Sequence, residues 1–444
     1  MIKDLTTGKP QTVLWQFTIP MFISVIFQQL YNIADSVIAG KFAGENALAA
    51  VGASYPITMI FMAIAVGSNI GCSVVISQLF GAKKYDEMKT AVSTTLISSA
   101  VLSTIITILG LAGTRSLMVL LNTPSNIFQD GALYLRIYIA GFLFLFLYNV
   151  STGIFTSLGD SKTPLYFLIA SSIGNIFLDI LFVRNFHMGV AGVAWATFIA
   201  QGLACIFACI TLRKRLKSIP TTEHTVYFSF NTLKKIARIA IPSILQQSFI
   251  SIGNIFIQIL VNGYGSSVIA GYSAAIKLNT FTITSFTTLG NGLSSFTAQN
   301  IGAGKTDRVK LGFRAGLKMA FLVAAPFFIL FFFFGKPLIL LFLKEGGKTA
   351  LSTGMTFLKI VAPFYFIASV KLIADGVLRG SGAMKQFMIA TFVDLILRVV
   401  LAFVLSPIAG ASGIWMSWPI GWVIAAILSL TFYLNGSWKK CMFK

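Results

Sequence analysis

Apolar stretches of about 20 residues recur from one end of this 444-residue chain to the other, and each is long enough to cross a bilayer as a helix. With 56% hydrophobic and 11% charged residues and a mean hydropathy of +0.84, a soluble chain of this size would be unable to hide its apolar surface. Membrane β-strands are shorter and alternate in polarity; these runs do not. The expectation is therefore an all-α integral membrane protein. Its twelve transmembrane helices fall at about 13–40, 47–80, 90–113, 131–157, 164–183, 189–212, 237–262, 267–300, 311–335, 352–378, 387–405 and 411–435. The first run is too long for a signal-peptide core and lacks a small-residue cleavage pattern, so no cleaved leader is expected.

The net charge of +21 raises the question of a nucleic-acid partner, and its distribution answers it. Alternate connections carry most of the Lys and Arg. The odd-numbered ones hold only six: Lys41, Arg115, Arg184, Lys336, Lys344 and Lys348. That asymmetry is the positive-inside pattern and places both termini in the cytoplasm of a multi-pass protein of the cell membrane. Topogenesis and anionic lipid account for the basic charge, and no nucleic acid is expected. The four cysteines, Cys72, Cys205, Cys209 and Cys441, form neither a zinc pattern nor a disulfide framework and read as small packing residues.

The chain repeats itself. "IP" at 19–20 returns at 241–242, and "YNIADSVIAG" aligns with "GNIFIQILVN" at 253–262. "QLFGAKKYDE" (78–87) matches "QNIGAGKTDR" (299–308), and "SLGDSKT" (157–163) matches "LRGSGAMK" (378–385). Six spans per copy is an even number, so both copies enter the membrane in the same sense. Two six-helix lobes related by a pseudo-two-fold axis along the membrane normal follow. The expected division is an N-terminal lobe at 1–212, a cytoplasmic linker at 213–236, a C-terminal lobe at 237–436 and a tail at 437–444. "GAGKT" (302–306) is not a phosphate loop. The Walker pattern needs a glycine where Gln299 stands, and no strand precedes it. With no nucleotide site, transport would have to run on an ion gradient.

Charged residues fall within the spans, among them Asp35, Arg136, Asp179, Lys277, Lys359, Lys371, Asp375, Asp394 and Arg398. Such residues are functional candidates by default. Asp394 and Arg398, and likewise Lys371 and Asp375, are spaced to pair along one helix face. Asp35 and Asp179 have no basic neighbour at that spacing. Each has an amide instead, Asn32 at i−3 and Asn175 at i−4. At 1.5 Å per residue, Asp35, Asp179 and Thr197 lie about 8, 6 and 12 Å below the outer ends of their spans, and Tyr134 reaches the same level. Neighbouring buried carboxylates repel each other and favour taking up a proton; an all-oxygen ligand set equally suits a hard cation such as Na⁺. The second copy has Ile257 where the first has Asp35.

The six-span repeat, the "IP" pairs, "NIADSVIAG", "QLFGAKKYD" and "SLGDSKTP" together resemble the multidrug and toxic compound extrusion (MATE) family, of the bacterial type, over essentially the whole chain. The resemblance implies two lobes around a V-shaped cavity and export of organic, often cationic and lipophilic, compounds driven by entry of H⁺ or Na⁺. It implies a coupling-ion site of Asp35, Asn175, Asp179 and Thr197, supported by Tyr134, Asn149 and Asn32, with Pro20 bending the first helix. It implies no enzymatic activity, no cofactor beyond the coupling ion, small organic substrates in a lipid setting, and a monomer. A flippase for a lipid-linked saccharide of the same superfamily is the second reading; twelve spans weigh against it. A channel or receptor is the third; the repeat and the buried carboxylates weigh against that. The residues do not choose between H⁺ and Na⁺, because the same oxygens serve both.

Overall fold

The computed structural model describes residues 2–38, 42, 45–121, 123–221, 226–343 and 347–439, with the backbone alone at 35–37, 45, 46 and 48. Among these residues there is no strand. The helices are α1 (Pro10–Ile38), α2 (Glu45–Gly81), α3 (Tyr85–Leu120), α4 (Ser125–Ala140), α5 (Phe142–Ser157), α6 (Lys162–Asp179), α7 (Gly189–Lys217) and α8 (Phe230–Asn262). They continue with α9 (Ser266–Gly302), α10 (Thr306–Phe333), α11 (Gly335–Leu340), α12 (Lys348–Val361), α13 (Tyr365–Gly380), α14 (Met384–Ala409) and α15 (Ala411–Leu434). Twelve spans result, because α4 with α5, and α12 with α13, each make one.

Both composite spans have a local cause for their break. The α4–α5 pair is bent by 48° at Gly141, where a Cβ would lie 3.0 Å from Cδ2 of Phe198 on α7. The α12–α13 break is a short 3₁₀ turn, Ala362–Phe364, carrying Pro363, which lacks the amide proton a continuous helix needs. By a strict length and hydropathy criterion ten of the described helical stretches qualify as spans, or eleven with the bent pair. The one it misses is α9, whose 37 residues are rich in Ser, Thr, Gly and Asn. Those small residues have a packing purpose. A Cβ at Gly376 of α13 would sit 2.5 Å from the Gly290 carbonyl oxygen, and one at Gly290 would sit 2.6 Å from that of Leu372. Here α9 and α13 approach backbone to backbone, the small-residue mode of packing in membranes.

By contacts the chain groups into two units, residues 1–4 with 23–248, and 5–22 with 249–444. This is a different division from the sequence repeat. The first helix of each copy is shared out: α1 changes unit after residue 22 and α8 after residue 248. In the first unit, Gly67 and Gly71 of α2 let α8 pack against them, since a Cβ would lie 2.5 Å from Ile244 Cα and 2.6 Å from Ala240 Cα.

The repeated motifs hold chain ends in place. In the second unit, Gln299 Oε1 accepts from the Leu5 amide at 2.9 Å, Lys305 Nζ donates to the Thr6 carbonyl at 2.9 Å, and Arg308 Nη1 to that of Gly8 at 2.7 Å. "QNIGAGKTDR" is thus a clasp for the N-terminal segment. In the first unit, Asp160 of "SLGDSKT" accepts from the Thr163 amide at 3.1 Å and hydroxyl at 2.8 Å, tying the turn before α6 to its first residues.

Candidate functional site

On the page of the sequence, Asn175 and Asp179 share a face of the fifth span, and in the structure both are buried, at 2% and 0% exposure. Asp179 is the last residue of α6. Directly after it the chain widens into a π-helical turn, Ile180–Asn185, a distortion that recurs at functional sites and that re-aims the side chains beside it. Thr197 arrives from α7. The Asn175 amide nitrogen donates to its hydroxyl at 3.5 Å, a long bond. Asn175 Oδ1 is buried and meets no hydrogen-bond partner among the described residues. A carboxylate, an amide oxygen and a hydroxyl are the donor set of a hard cation, so the residues present suit Na⁺ as well as a proton.

Tyr134 stands at the same place. Its ring packs on Val183 and Val193, which follow Asp179 and precede Thr197, and stacks with Tyr138 at 6.4 Å between centroids. A crevice beside it is lined by Tyr134, Tyr138, Gly141, Leu145, Thr197, Phe198 and Gln201 among others. Gln201 follows Thr197 by one turn, and its Oε1 is buried without a hydrogen-bond partner among the described residues. The i, i+4 spacing from Thr197 was the signal that would have found it.

The remaining expected residues fall elsewhere. The side chain of Asp35 lies outside the described residues; its backbone is helical. Asn32 is exposed, accepting from Gln28 Nε2 at 3.3 Å and donating to Gln29 Oε1 at 3.4 Å. The Asn149 amide donates to the Leu145 carbonyl of its own helix at 2.9 Å, while its carbonyl accepts from Asn69 Nδ2 at 2.8 Å; it braces α5 against α2. Pro20 is buried inside α1, which runs unbroken through it. Ile257, the counterpart of Asp35, is fully buried in the apolar core of the second unit.

One expected pairing is corrected. Asp394 does not pair with Arg398. Lys371 Nζ sits 3.2 Å from Asp375 Oδ2 and 3.3 Å from Asp394 Oδ2, taking both carboxylates, while the Arg398 guanidinium lies 4.4 Å from the Trp418 ring centre. Spacing along one helix says which side chains share a face, and an ammonium from a neighbouring helix won the contest. Arg136, Lys277 and Lys359 are exposed on helix surfaces.

Known proteins resemble this chain over its whole length. The "Probable multidrug resistance protein YoeA" of Bacillus subtilis is 28% identical over 98% of this chain and 96% of the relative. "Probable multidrug resistance protein YpnP" of the same organism is 29% identical over 98% and 97%. A solved structure described as the "Outward-facing conformation of a multidrug resistance MATE family transporter of the MOP superfamily" superposes with a TM-score of 0.92 at 24% identity, covering 99% of this chain and 98% of the other. The model of the MatE family matches residues 20–181 and again 242–404, one match to each copy of the six-span repeat, and the chain belongs to the MatE family.

Proposed function

We propose that this protein is a secondary active multidrug exporter, exchanging H⁺ or Na⁺ for organic, often cationic and lipophilic, compounds by alternating access. Buried Asn175 and Asp179, with half-buried Thr197 beside Asn175, carry the reading. A carboxylate at this depth is a functional candidate by default, and it shares a helix face with Asn175, which reaches Thr197. Asp35 completes the group in this reading. Ion entry neutralises the cluster, and α1 responds near Pro20, where one backbone hydrogen bond is missing. The ion drives transport only if it binds the two shapes with different affinity. The names carried by the relatives support drug export. The two six-span copies act as the two lobes, the 213–236 linker and both termini face the cytoplasm, and the monomer in the cell membrane is the working unit.

The deciding experiment is efflux of a fluorescent organic cation from proteoliposomes, with H⁺ and Na⁺ gradients imposed separately. Export driven by one gradient and lost in Asp179→Asn is the expected result. Efflux indifferent to both gradients would remove the coupling model.

A further inference from the structure

Five ionisable side chains of the second unit are buried together on α13 and α14: Lys371, Asp375, Arg379, Asp394 and Arg398, each no more than 6% exposed. Three are cations and two are carboxylates, a surplus of one positive charge. Lys371 takes both carboxylates, and Ser429 donates to Asp375 Oδ1 at 2.6 Å. Arg379 donates to the Asn291 side-chain oxygen and lies over Phe387. With Lys371 on both carboxylates, Arg398 makes no direct ion pair among the described residues. One face of its guanidinium is covered by Trp418. Its Nε and Nη2 donors are buried and meet no acceptor among the described residues, and the same is true of Trp418 Nε1. Beside Nη2, α8 carries Gly253, where a Cβ would come to 3.7 Å from that nitrogen and 3.6 Å from Val399 Cγ2, so a side chain at 253 would crowd that edge.

Asp394 acts on Arg398 from one turn away without bonding to it; a buried cation without a hydrogen-bonded counter-charge is expensive, and each buried donor without an acceptor adds to the cost. The Nε–Nη2 edge of a guanidinium is a two-pronged fork shaped for the two oxygens of a carboxylate. We propose that this edge, between α8, α14 and α15 of the second unit, is a binding site for a monoanion, either a halide ion or the carboxylate of an organic solute. One negative charge cancels the surplus. A dianion overshoots it and meets the two nearby aspartates, so the site discriminates against sulfate.

The proposal goes beyond the export reading and is tested without any ion gradient, so each stands or falls separately. Tryptophan fluorescence of the purified full-length protein is titrated with sodium chloride and with sodium benzoate at constant ionic strength, and with sodium sulfate for comparison. A saturable change with chloride or benzoate but not sulfate is expected. It should weaken by about tenfold or more in Gly253→Val, which keeps Arg398 and occupies the space beside it, and vanish in Arg398→Gln. A response to both, each competing with the other, assigns the site to any small monoanion; a response to benzoate alone assigns it to a solute carboxylate. No saturable response, or one that is unchanged in Gly253→Val, overturns the proposal. Should Arg398→Gln fail to fold, the Gly253→Val comparison decides alone, with its circular dichroism spectrum as the check on folding.

Discussion

Asn175, one helical turn before Asp179 on the same face, donates to the Thr197 hydroxyl. If Asp35 shares the ion with them, Asp35→Asn, Asp179→Asn and the double variant should lose similar amounts of gradient-driven export, far from additively. Independent losses in that cycle would mean two separate sites. Thr197→Val removes one ligand oxygen and keeps the volume. A hydrogen bond of this sort is worth about 1 kcal/mol, so coupled efflux at limiting ion concentration should fall by roughly fivefold and recover at high ion concentration; a loss that saturating ion cannot restore would contradict a ligand role. The Asn175–Asp179 pair was legible because i, i+4 on a helix is a statement about one element. Gln201 was equally within reach and was passed over. Lys371 bridging Asp375 and Asp394 was not legible, because it depends on which helices become neighbours.

Helix by helix, the sequence was most readable where hydropathy is high and least where small residues replace it. The α9–α13 contact is the clearest case: its glycines look like interruptions in an apolar run, yet they are what allows the two backbones to meet. Gly376→Val would force a branched side chain against the Gly290 carbonyl, 2.5 Å from where its Cβ would begin. Overpacking costs about 1–3 kcal/mol where side chains can yield, and a backbone cannot yield easily. The purified variant should therefore melt several degrees lower, or fail to accumulate, whereas Gly174→Val, whose Cβ would meet nothing within 4 Å, should not. Equal melting temperatures for the two variants would refute close packing at this contact. The breaks at Gly141 and Pro363 were hidden for a related reason. A hydropathy window averages across a bend, and only the fit of Phe198 against Gly141 explains why the first bend is where it is.

For the molecule as a whole, the duplication was the most informative pattern in the sequence, since it sorted the twelve apolar spans into two sets of six and the family match later fell on each copy separately. Contacts divide the chain differently, after residues 22 and 248, and no repeat reveals that. The charge asymmetry of the loops predicts orientation: Thr221→Cys, in a background without native cysteines, should resist an impermeant thiol reagent in intact cells and react once the cells are opened. Labelling in intact cells would reverse the topology.

The ammonium of Lys371, shared between a carboxylate of its own helix and one of α14, also bears on how the chain is made. A charged side chain at the centre of a helix adds about 2.5–3.5 kcal/mol to the work of insertion, and α13 carries Lys371, Asp375 and Arg379. While the ribosome is still completing α14, α13 has no second carboxylate to offset its cations. The two helices should therefore leave the translocon as a hairpin, with α13 retained there until Asp394 has emerged. In a released chain ending at Ala383, an Ala374→Cys probe on α13 should react with a water-soluble thiol reagent, and in one ending at Ala409 it should be protected; equal protection in both would mean that α13 settles in lipid unaided.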